Sequence, residues 1–162
     1  MTAAVGGIVE PARAAVPSDV PALVDLARAL RAEMRDQRGG ALWLTREARP
    51  EPLVDLLTDL IGRDDASVVV GTIDGTVVGF GTVEIETLRD GTRLGVIGDL
   101  FVDAEARAVG VGESIADLIV EFCAAARCVG IDAYALPGAR AAKNFFERSG
   151  FTARALIMHH KL

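Results

Sequence analysis

The sequence has few of the residues from which metal and redox sites are built. Its 162 residues include only two cysteines and two histidines. His159 and His160 are adjacent and have no Cys, Asp or Glu at ligand spacing, so we expect no metal site. Cys123 and Cys128 are wrongly spaced for a metal knuckle or a redox pair. We therefore expect two buried thiols in a reducing cytosol.

Long apolar runs are also missing, although hydrophobic residues make up 51% of the chain. No uninterrupted run approaches the roughly 18 residues of a membrane span, so we expect no membrane partner. The start of the chain, Met1–Ile8, lacks the basic segment and apolar core of a secretion signal. These features predict a cytoplasmic protein with one domain over residues 8–162 and a flexible tail over residues 1–7.

Positive charge is the third shortage. The chain has 17 basic and 23 acidic residues, which gives a formal net charge of −6. Nonspecific nucleic-acid binding needs a basic surface, so nucleic acid is not an expected partner. The acidic balance is compatible with a cationic acceptor, and it is also common among soluble proteins of no such function.

The first half of the chain predicts an edge strand followed by two helices. Ile8–Ala15 has the composition of a strand, and Pro11 restricts it to a sheet edge. Apolar residues at helical spacing follow a cap at Ser18 or Asp19 and stop before Gly39-Gly40. We interpret Ala41–Pro50 as a loop, with a packing role favoured for Trp43 over a role in lining an acceptor pocket. A second helix opens near Glu51-Pro52 and stops at Gly62.

The second half predicts strands joined by hairpins, then a crossover. Asp74-Gly75 and Asp90-Gly91 are turn signals between β-branched segments. The segments, in order, are a strand over Val68–Ile73, a strand over Thr76–Glu86, a strand over Leu94–Val102, a helix from Gly112, a strand over Gly130–Leu136, a helix over Ala139–Ser149 and a last strand over Phe151–Lys161. This order predicts an α/β fold with a mixed, mostly antiparallel sheet flanked by helices.

A loop with two glycines precedes the long helix of the second half. Gly110 and Gly112 remove two side chains where the helix begins, so several backbone N–H groups can point at one anion. A P-loop would require Lys and Ser or Thr after the second glycine, where Glu113-Ser114 stand. A dinucleotide fingerprint would require a third glycine where Ile115 stands.

The segment Leu100–Gly112, LFVDAEARAVGVG, resembles the acyl-CoA-binding motif of the GNAT N-acetyltransferases, L-F/Y-V-x-P-x-x-R/Q-x-x-G-x-G/A. Ala104 departs from it, since proline is usual there. Ala142–Phe151, AKNFFERSGF, is similar to the later A-x-x-F-Y-E-x-x-G-F segment of the same family. The resemblance extends over residues 8–162. It implies a splayed pair of parallel strands, here Leu94–Val102 and Gly130–Leu136, with the acyl-CoA cleft between them.

The resemblance also implies which residues hold acetyl-CoA, the expected co-substrate. Pantetheine would pair with backbone groups of the strand, and the pyrophosphate with the loop and Arg107. Asn144, with Lys143, is a candidate for the nucleotide end, and a solvated helix face is the alternative for both. The complete candidate set is Leu100, Phe101, Val102, Arg107, Ala108, Val109, Gly110, Val111, Gly112, Glu113 and Asn144.

The implied reaction is acyl transfer to an amine, which must first lose a proton. Asp99 and Glu84 are the candidate bases, and for each we favour a structural role over a catalytic one. Glu86 shares a face with Glu84 by alternation. The tyrosine that often serves as the acid in the family is matched by Phe146, which cannot donate a proton. The only tyrosine, Tyr134, would substitute if it faced the cleft, but we favour a core or edge role.

The sequence thus predicts an acyl-CoA-dependent N-acetyltransferase that acts on a small-molecule or peptide amine. The acceptor would be contacted by the loop Arg38–Arg49 and the strand Val83–Leu88. Neither segment indicates which amine is the acceptor. The alternative is a CoA-binding sensor or interaction domain with weakened catalysis. A homodimer is possible, because the last strand is apolar and could pair with another subunit.

Overall fold

The computed structural model describes residues 7–162. The predicted flexible tail over residues 1–7 therefore lies, except for Gly7, outside the described residues. The elements, in chain order, are β1 (Arg13–Ala14), a short 3-10 turn (Pro17–Asp19), α1 (Val20–Arg35), α2 (Gly40–Arg46), α3 (Leu53–Ile61), β2 (Ala66–Ile73), β3 (Thr76–Thr87), β4 (Arg93–Val102), a second 3-10 turn (Ala104–Ala106), α4 (Val111–Ala125), β5 (Cys128–Ala133) and α5 (Arg140–Arg148).

The five strands form one mixed sheet in the order β1-β2-β3-β4-β5. The pairs from β1 to β4 are antiparallel, and β5 is parallel to β4. This confirms the predicted fold class. Neighbouring parallel strands need a crossover connection, and here the helix α4 supplies it between β4 and β5.

Two apolar cores lie on the two faces of the sheet. Alternate residues of β2 divide between them, since Val68 and Val70 pack with α1, α2 and α3 whereas Val69 packs with α4. The core beneath α4 includes Ile115 and Ile119 of α4 itself and Phe146 of α5. The helix with the glycine loop at its start is therefore fixed to the sheet through a buried apolar face.

Glycines in the strands let α4 approach the sheet closely. A Cβ atom at Gly81 would lie 2.8 Å from Ile115 and 2.9 Å from Ile119, and one at Gly95 would lie 2.5 Å from the Cys123 sulfur. Side chains at these positions would push the helix outward. Burial raises the pKa of the Cys123 thiol to about 12. Two buried thiols were predicted, and only Cys123 is buried, since Cys128 at the start of the edge strand β5 is half-buried.

Two predicted segments are corrected. The predicted loop over Ala41–Pro50 begins with α2, in which Trp43 is buried against the core beneath α1 and α3. A single anchoring tryptophan gives too little periodicity to reveal a helix of two turns.

The predicted last strand over Phe151–Lys161 is wrong, because no residue from Phe151 to Leu162 belongs to a strand. A strand needs a partner ladder, and the pattern of apolar residues does not by itself supply one. None of the helices described between Gly7 and Leu162 has the length and apolarity to cross a membrane.

Candidate active site

A gap opens in the sheet between β4 and β5. The two strands pair from Arg93 with Cys128 to Ile97 with Ala133, where β5 ends. Strand β4 continues to Val102, so residues 98–102 have β3 on one edge and no strand of the described chain on the other. The gap lies at the carboxyl ends of two parallel strands, where open α/β sheets commonly bind ligands.

Backbone direction along β4 identifies the groups that face this gap. The Asp103 N–H donates to the Val78 carbonyl across the β3 edge, at 2.8 Å. Because backbone groups alternate between the two edges of a strand, those of Phe101 face β3, and those of Leu100 and Val102 face the gap. The Val102 carbonyl accepts a hydrogen bond from Arg107 Nε at 2.9 Å. Leu100 therefore presents the backbone donor and acceptor best placed to meet a ligand.

The loop before α4 is held in a left-handed conformation at two positions. Ala108 has φ 63° and Gly110, which caps the helix, has φ 95°. The first helical hydrogen bond runs from the Ser114 N–H to the Gly110 carbonyl, so the N–H groups of Val111, Gly112 and Glu113 have no helical acceptor. The helix dipole adds partial positive charge to these donors.

The surroundings of the two loop glycines differ. No atom lies within 4 Å of a Cβ built at Gly110, so this residue is open to solvent. A Cβ at Gly112 would lie 3.3 Å from the Phe145 ring of α5. The donors thus lie on a surface that is open at Gly110 and has the Phe145 ring next to Gly112.

Arg107 occupies the rim of this surface. Its guanidinium lies 5.3 Å from the centre of the Phe101 ring and forms an ion pair with Glu33 of α1 at 2.6 Å. Both side chains are more than two-fifths exposed. The pair is therefore on the surface, where exchange of one anion for another is inexpensive.

An ionic network lies on the other side of β4, beneath α1 and α3, and it is buried at Asp99 and partly exposed at Glu84 and Arg63. Asp99 accepts hydrogen bonds from Arg49 Nε at 2.8 Å and from the Thr82 hydroxyl at 2.7 Å. Arg49 Nη2 also reaches Glu84 at 3.1 Å, and Arg63 binds the second oxygen of Glu84 at 3.0 Å. The structure thus brings both candidate bases, Asp99 and Glu84, to one arginine.

Arg49 remains protonated although most of its side chain is buried. Burial opposes ionisation of Arg49, but Asp99 and Glu84 outweigh burial and raise its pKa above the ordinary value. The side chain is accommodated because the facing strand residue is a glycine. A Cβ at Gly98 would lie 2.5 Å from Arg49 Nη2. Gly98 is also the extra residue of an irregularity in the pairing of β3 with β4, since Thr82 pairs with Asp99 and Val83 with Ile97.

Trp43 packs beside this network. It lines a small cavity with Leu30, Leu57, Arg49 and Asp99, and its side chain belongs to the main core. The packing role favoured from the sequence agrees with this position. The sequence places Arg49 at the end of a loop that would contact the acceptor but does not predict its ion pairs, because an arginine in a polar segment gives no signal that it will be buried against a strand 50 residues away.

The remaining candidates lie on α5 and directly after β5. Asn144 is exposed on α5, next to Lys143, which pairs with Glu147. Phe146 is buried and packs edge-on against Phe151, at 5.2 Å between ring centres. Tyr134 follows the end of β5 and is more than half exposed. The prediction that it lies within the fifth strand, in a core or edge role, is therefore wrong. Between Gly7 and Leu162 there is no group of three or more acidic, His or Cys side chains that could hold a metal ion.

Comparison with known proteins identifies the class to which this fold and site belong. Residues 26–151 match the acetyltransferase (GNAT) family, and the chain therefore belongs to that family. No curated protein matches the sequence.

Solved structures share the fold at low identity. An acetyltransferase from Trypanosoma brucei is 21% identical over 96% of this chain and 100% of its own, with a TM-score of 0.67. Glucosamine-6-phosphate N-acetyltransferase from Arabidopsis thaliana is 20% identical over 95% of this chain and 98% of its own, with a TM-score of 0.69. A tetramutant of the BH1408 protein from Bacillus halodurans has a TM-score of 0.80 at 17% identity, over 94% of this chain and 100% of its own.

Proposed function

We propose that the chain is a GNAT domain over residues 8–162 that transfers an acetyl group from acetyl-CoA to a primary amine. Transfer is direct, with both substrates bound together. The observation that carries the proposal is the open glycine loop at the start of α4, placed beside the unpaired edge of β4. One surface thus offers donors for a diphosphate and an adjoining strand edge for an amide-containing arm.

The residues present fit acetyl-CoA. The N–H groups from Ala108 to Glu113 would hold the diphosphate, with Arg107 released from Glu33 to add a full charge. The Leu100 carbonyl and the Val102 N–H would hold the pantetheine amides as an added strand, while Phe101 supports the strand from the core. Asn144 would lie toward the nucleotide. Bound acetyl-CoA would supply the acetyl group as a thioester.

The network beneath β4 suits the acceptor. The carboxylates of Asp99 and Glu84 would offer oxygens to a cationic amine. Glu84 is the more exposed of the two candidate bases, so we assign it the transfer of the amine proton toward solvent. Asp99 would position the acceptor, and the Leu100 N–H would stabilise the developing oxyanion.

A second candidate function is a CoA-binding sensor or interaction domain of the same fold. Phe146 favours it, because a buried phenylalanine occupies the position that matches the family's usual acid. A thiol with an ordinary pKa of ~8.5 has a thiolate that can leave without an acid, and therefore the first candidate stands.

Thermal unfolding in the presence of acetyl-CoA, CoA, ATP and NAD tests the binding proposal. A ligand at about 100 times its dissociation constant adds about 2.7 kcal/mol to the free energy of unfolding, so acetyl-CoA and CoA should raise the midpoint. Gly110→Asp should abolish that rise by placing a carboxylate beside the N–H groups that would hold the diphosphate. Gly91→Asp is the matched control, since Gly91 also has positive φ and open surroundings but lies in the β3–β4 turn.

Protection by ATP or NAD alone, or by none of the four, would refute the proposal. If CoA binds, release of its thiol from acetyl-CoA with a panel of small amines and peptides separates the two functions. An enzyme shows acceptor-dependent release, and a sensor shows none. The proposal includes a cytoplasmic location, in which Cys123 and Cys128 stay reduced, and a homodimer.

A further inference from the structure

Arg31 of α1 is a mostly buried cation with a weakly bound partner. Its side chain is 18% exposed, and its one ion pair within residues 7–162 joins Nη1 to Glu51 Oε1 at 3.6 Å. That distance is longer than a hydrogen bond. Glu51 is already engaged, since its oxygens accept from Arg28 Nε at 3.1 Å and from the Leu53 N–H at 2.9 Å. Arg31 therefore has N–H donors to offer to a further anion.

The donors of Arg31 are open to solvent although most of the side chain is buried. Among the described residues, no buried side-chain nitrogen or oxygen lacks a hydrogen-bond partner. Donors of Arg31 that have no protein partner are therefore in contact with water, and an anion that enters from solvent can reach them.

Arg31 also lines the small cavity beneath α1 and α3, together with Arg49, Trp43 and Asp99. The charge of Arg49 is already met by Asp99 at 2.8 Å and by Glu84 at 3.1 Å. The rest of the cavity wall consists of alanine and leucine side chains, and such apolar surroundings strengthen a contact between charges. Arg31 is therefore the cation of this wall that is left for a ligand.

The cavity wall brings Arg31 close to the place where an amine would react. Asp99 directly precedes Leu100, whose backbone faces the gap between β4 and β5. A ligand that uses the whole wall has an anionic group at Arg31 and an amine at Asp99. Because the cavity is small, the two groups must be close together in the ligand. Carboxylate is the anion whose two oxygens match the planar fork of a guanidinium.

We infer that the acceptor is an α-amino acid, whose carboxylate binds Arg31 while its ammonium group lies at Asp99 and Glu84. In the transfer, the nitrogen forms a bond to the acetyl carbon and the bond from that carbon to sulfur breaks. The nitrogen loses two protons overall. One leaves through Glu84 to solvent, and the other ends on the departing CoA thiolate. The inference rests on the proposed acetyl transfer for the reaction, but the carboxylate site can be tested without it.

Calorimetric titration into protein saturated with CoA tests the carboxylate site, since no acetyl group is then present to react. The probes are glycine, alanine, leucine, phenylalanine, lysine and glutamate, each compared with its α-carboxamide. The amide keeps the amine and the side chain but lacks the charge of the α-carboxylate. For the best-bound pair we expect the amino acid to bind roughly ten-fold more tightly than its amide, as one charge-assisted contact predicts.

Arg31→Gln should remove this preference by lowering the affinity for the amino acid to that for its amide. Arg31→Lys keeps the charge and should keep part of the preference. Arg28→Gln is the matched control, because Arg28 also contacts Glu51 from α1 but is 57% exposed and lies outside the cavity wall. It should bind like the wild type. Far-UV circular dichroism checks that each variant is folded.

Equal affinity for amino acids and their amides in the wild type overturns the inference, and so does the absence of binding by every probe. A preference that Arg31→Gln leaves intact also overturns it. Thiol release from acetyl-CoA with the same probes then separates the two proposals. Release that favours the amino acid supports both, whereas amino-acid binding without any release supports the carboxylate site and refutes the acetyl transfer.

Discussion

The candidate sites on the two sides of β4 use different chemical groups, backbone N–H groups on one side and charged side chains on the other. The loop before α4 offers mainly backbone N–H groups, and its required residues are glycines that stand two apart in the sequence. The network on the opposite side uses side chains from α2–α3, β3 and β4, joined through Arg49. A backbone site is encoded by residues close together in the sequence, whereas a side-chain network depends on residues that are distant in the sequence and is disrupted when one of them is removed.

The largest expected effect is on the side-chain network. Arg49→Met removes the cation that Asp99 and Glu84 share and leaves Asp99 buried without its ionic partner. We expect a loss of about 3–5 kcal/mol in the free energy of unfolding, measured in urea at neutral pH. Arg49→Met/Asp99→Asn should recover part of that loss, because no buried charge is then left unpaired.

Arg46→Met is the matched control for Arg49. Arg46 pairs with Glu47 on the surface, where its side chain is 71% exposed, and we expect a change of about 0–1 kcal/mol. Equal destabilisation by the two substitutions would show that the network contributes no more than a surface pair, and the contrast between the two sides of β4 would then be lost.

A smaller effect is expected where the backbone site depends on packing. Gly81→Ala places a methyl group 2.8 Å from Ile115 and 2.9 Å from Ile119, and overpacking of this kind costs roughly 1–3 kcal/mol. Because α4 carries the loop, the rise in midpoint on addition of acetyl-CoA should also shrink. Gly130→Ala, whose Cβ would lie 3.8 Å from Leu94, should leave both quantities nearly unchanged. A normal acetyl-CoA response in Gly81→Ala would show that the loop is insensitive to the seating of its helix.

The smallest expected effect on stability is at Arg107. Arg107→Gln breaks the exposed pair with Glu33 and should change the free energy of unfolding by less than about 1 kcal/mol. Loss of one charge-assisted phosphate contact should nevertheless weaken acetyl-CoA binding roughly ten-fold, measured by calorimetry.

Glu33→Gln separates the two roles of Arg107. It breaks the same ion pair but leaves the cation available, so acetyl-CoA binding should stay equal or tighten. Weakening of equal size in both variants would assign Arg107 to the Glu33 contact and remove it from the cofactor site.

Much of the fold could be predicted from the sequence because its signals are local. The hairpin at Asp74-Gly75, the stop at Gly62 and the apolar stripe of α4 each gave an element with boundaries within two or three residues. The last strand could not be predicted in the same way. Phe151–Lys161 has a strand-like composition, but whether a segment forms a strand depends on a partner edge that its own residues do not specify.

The same distinction applies to the site. By itself the sequence determined the glycine loop, the strand that precedes it and the family they resemble, because backbone conformation at Gly110 and the start of a helix are properties of neighbouring residues. Only the tertiary structure decided that Arg49 holds Asp99 and Glu84, that Arg107 turns to Glu33, and that the end of the chain stands away from β5. Each of these depends on which distant side chain or strand edge comes within a few ångströms, and burial and charge set that choice once the chain has folded.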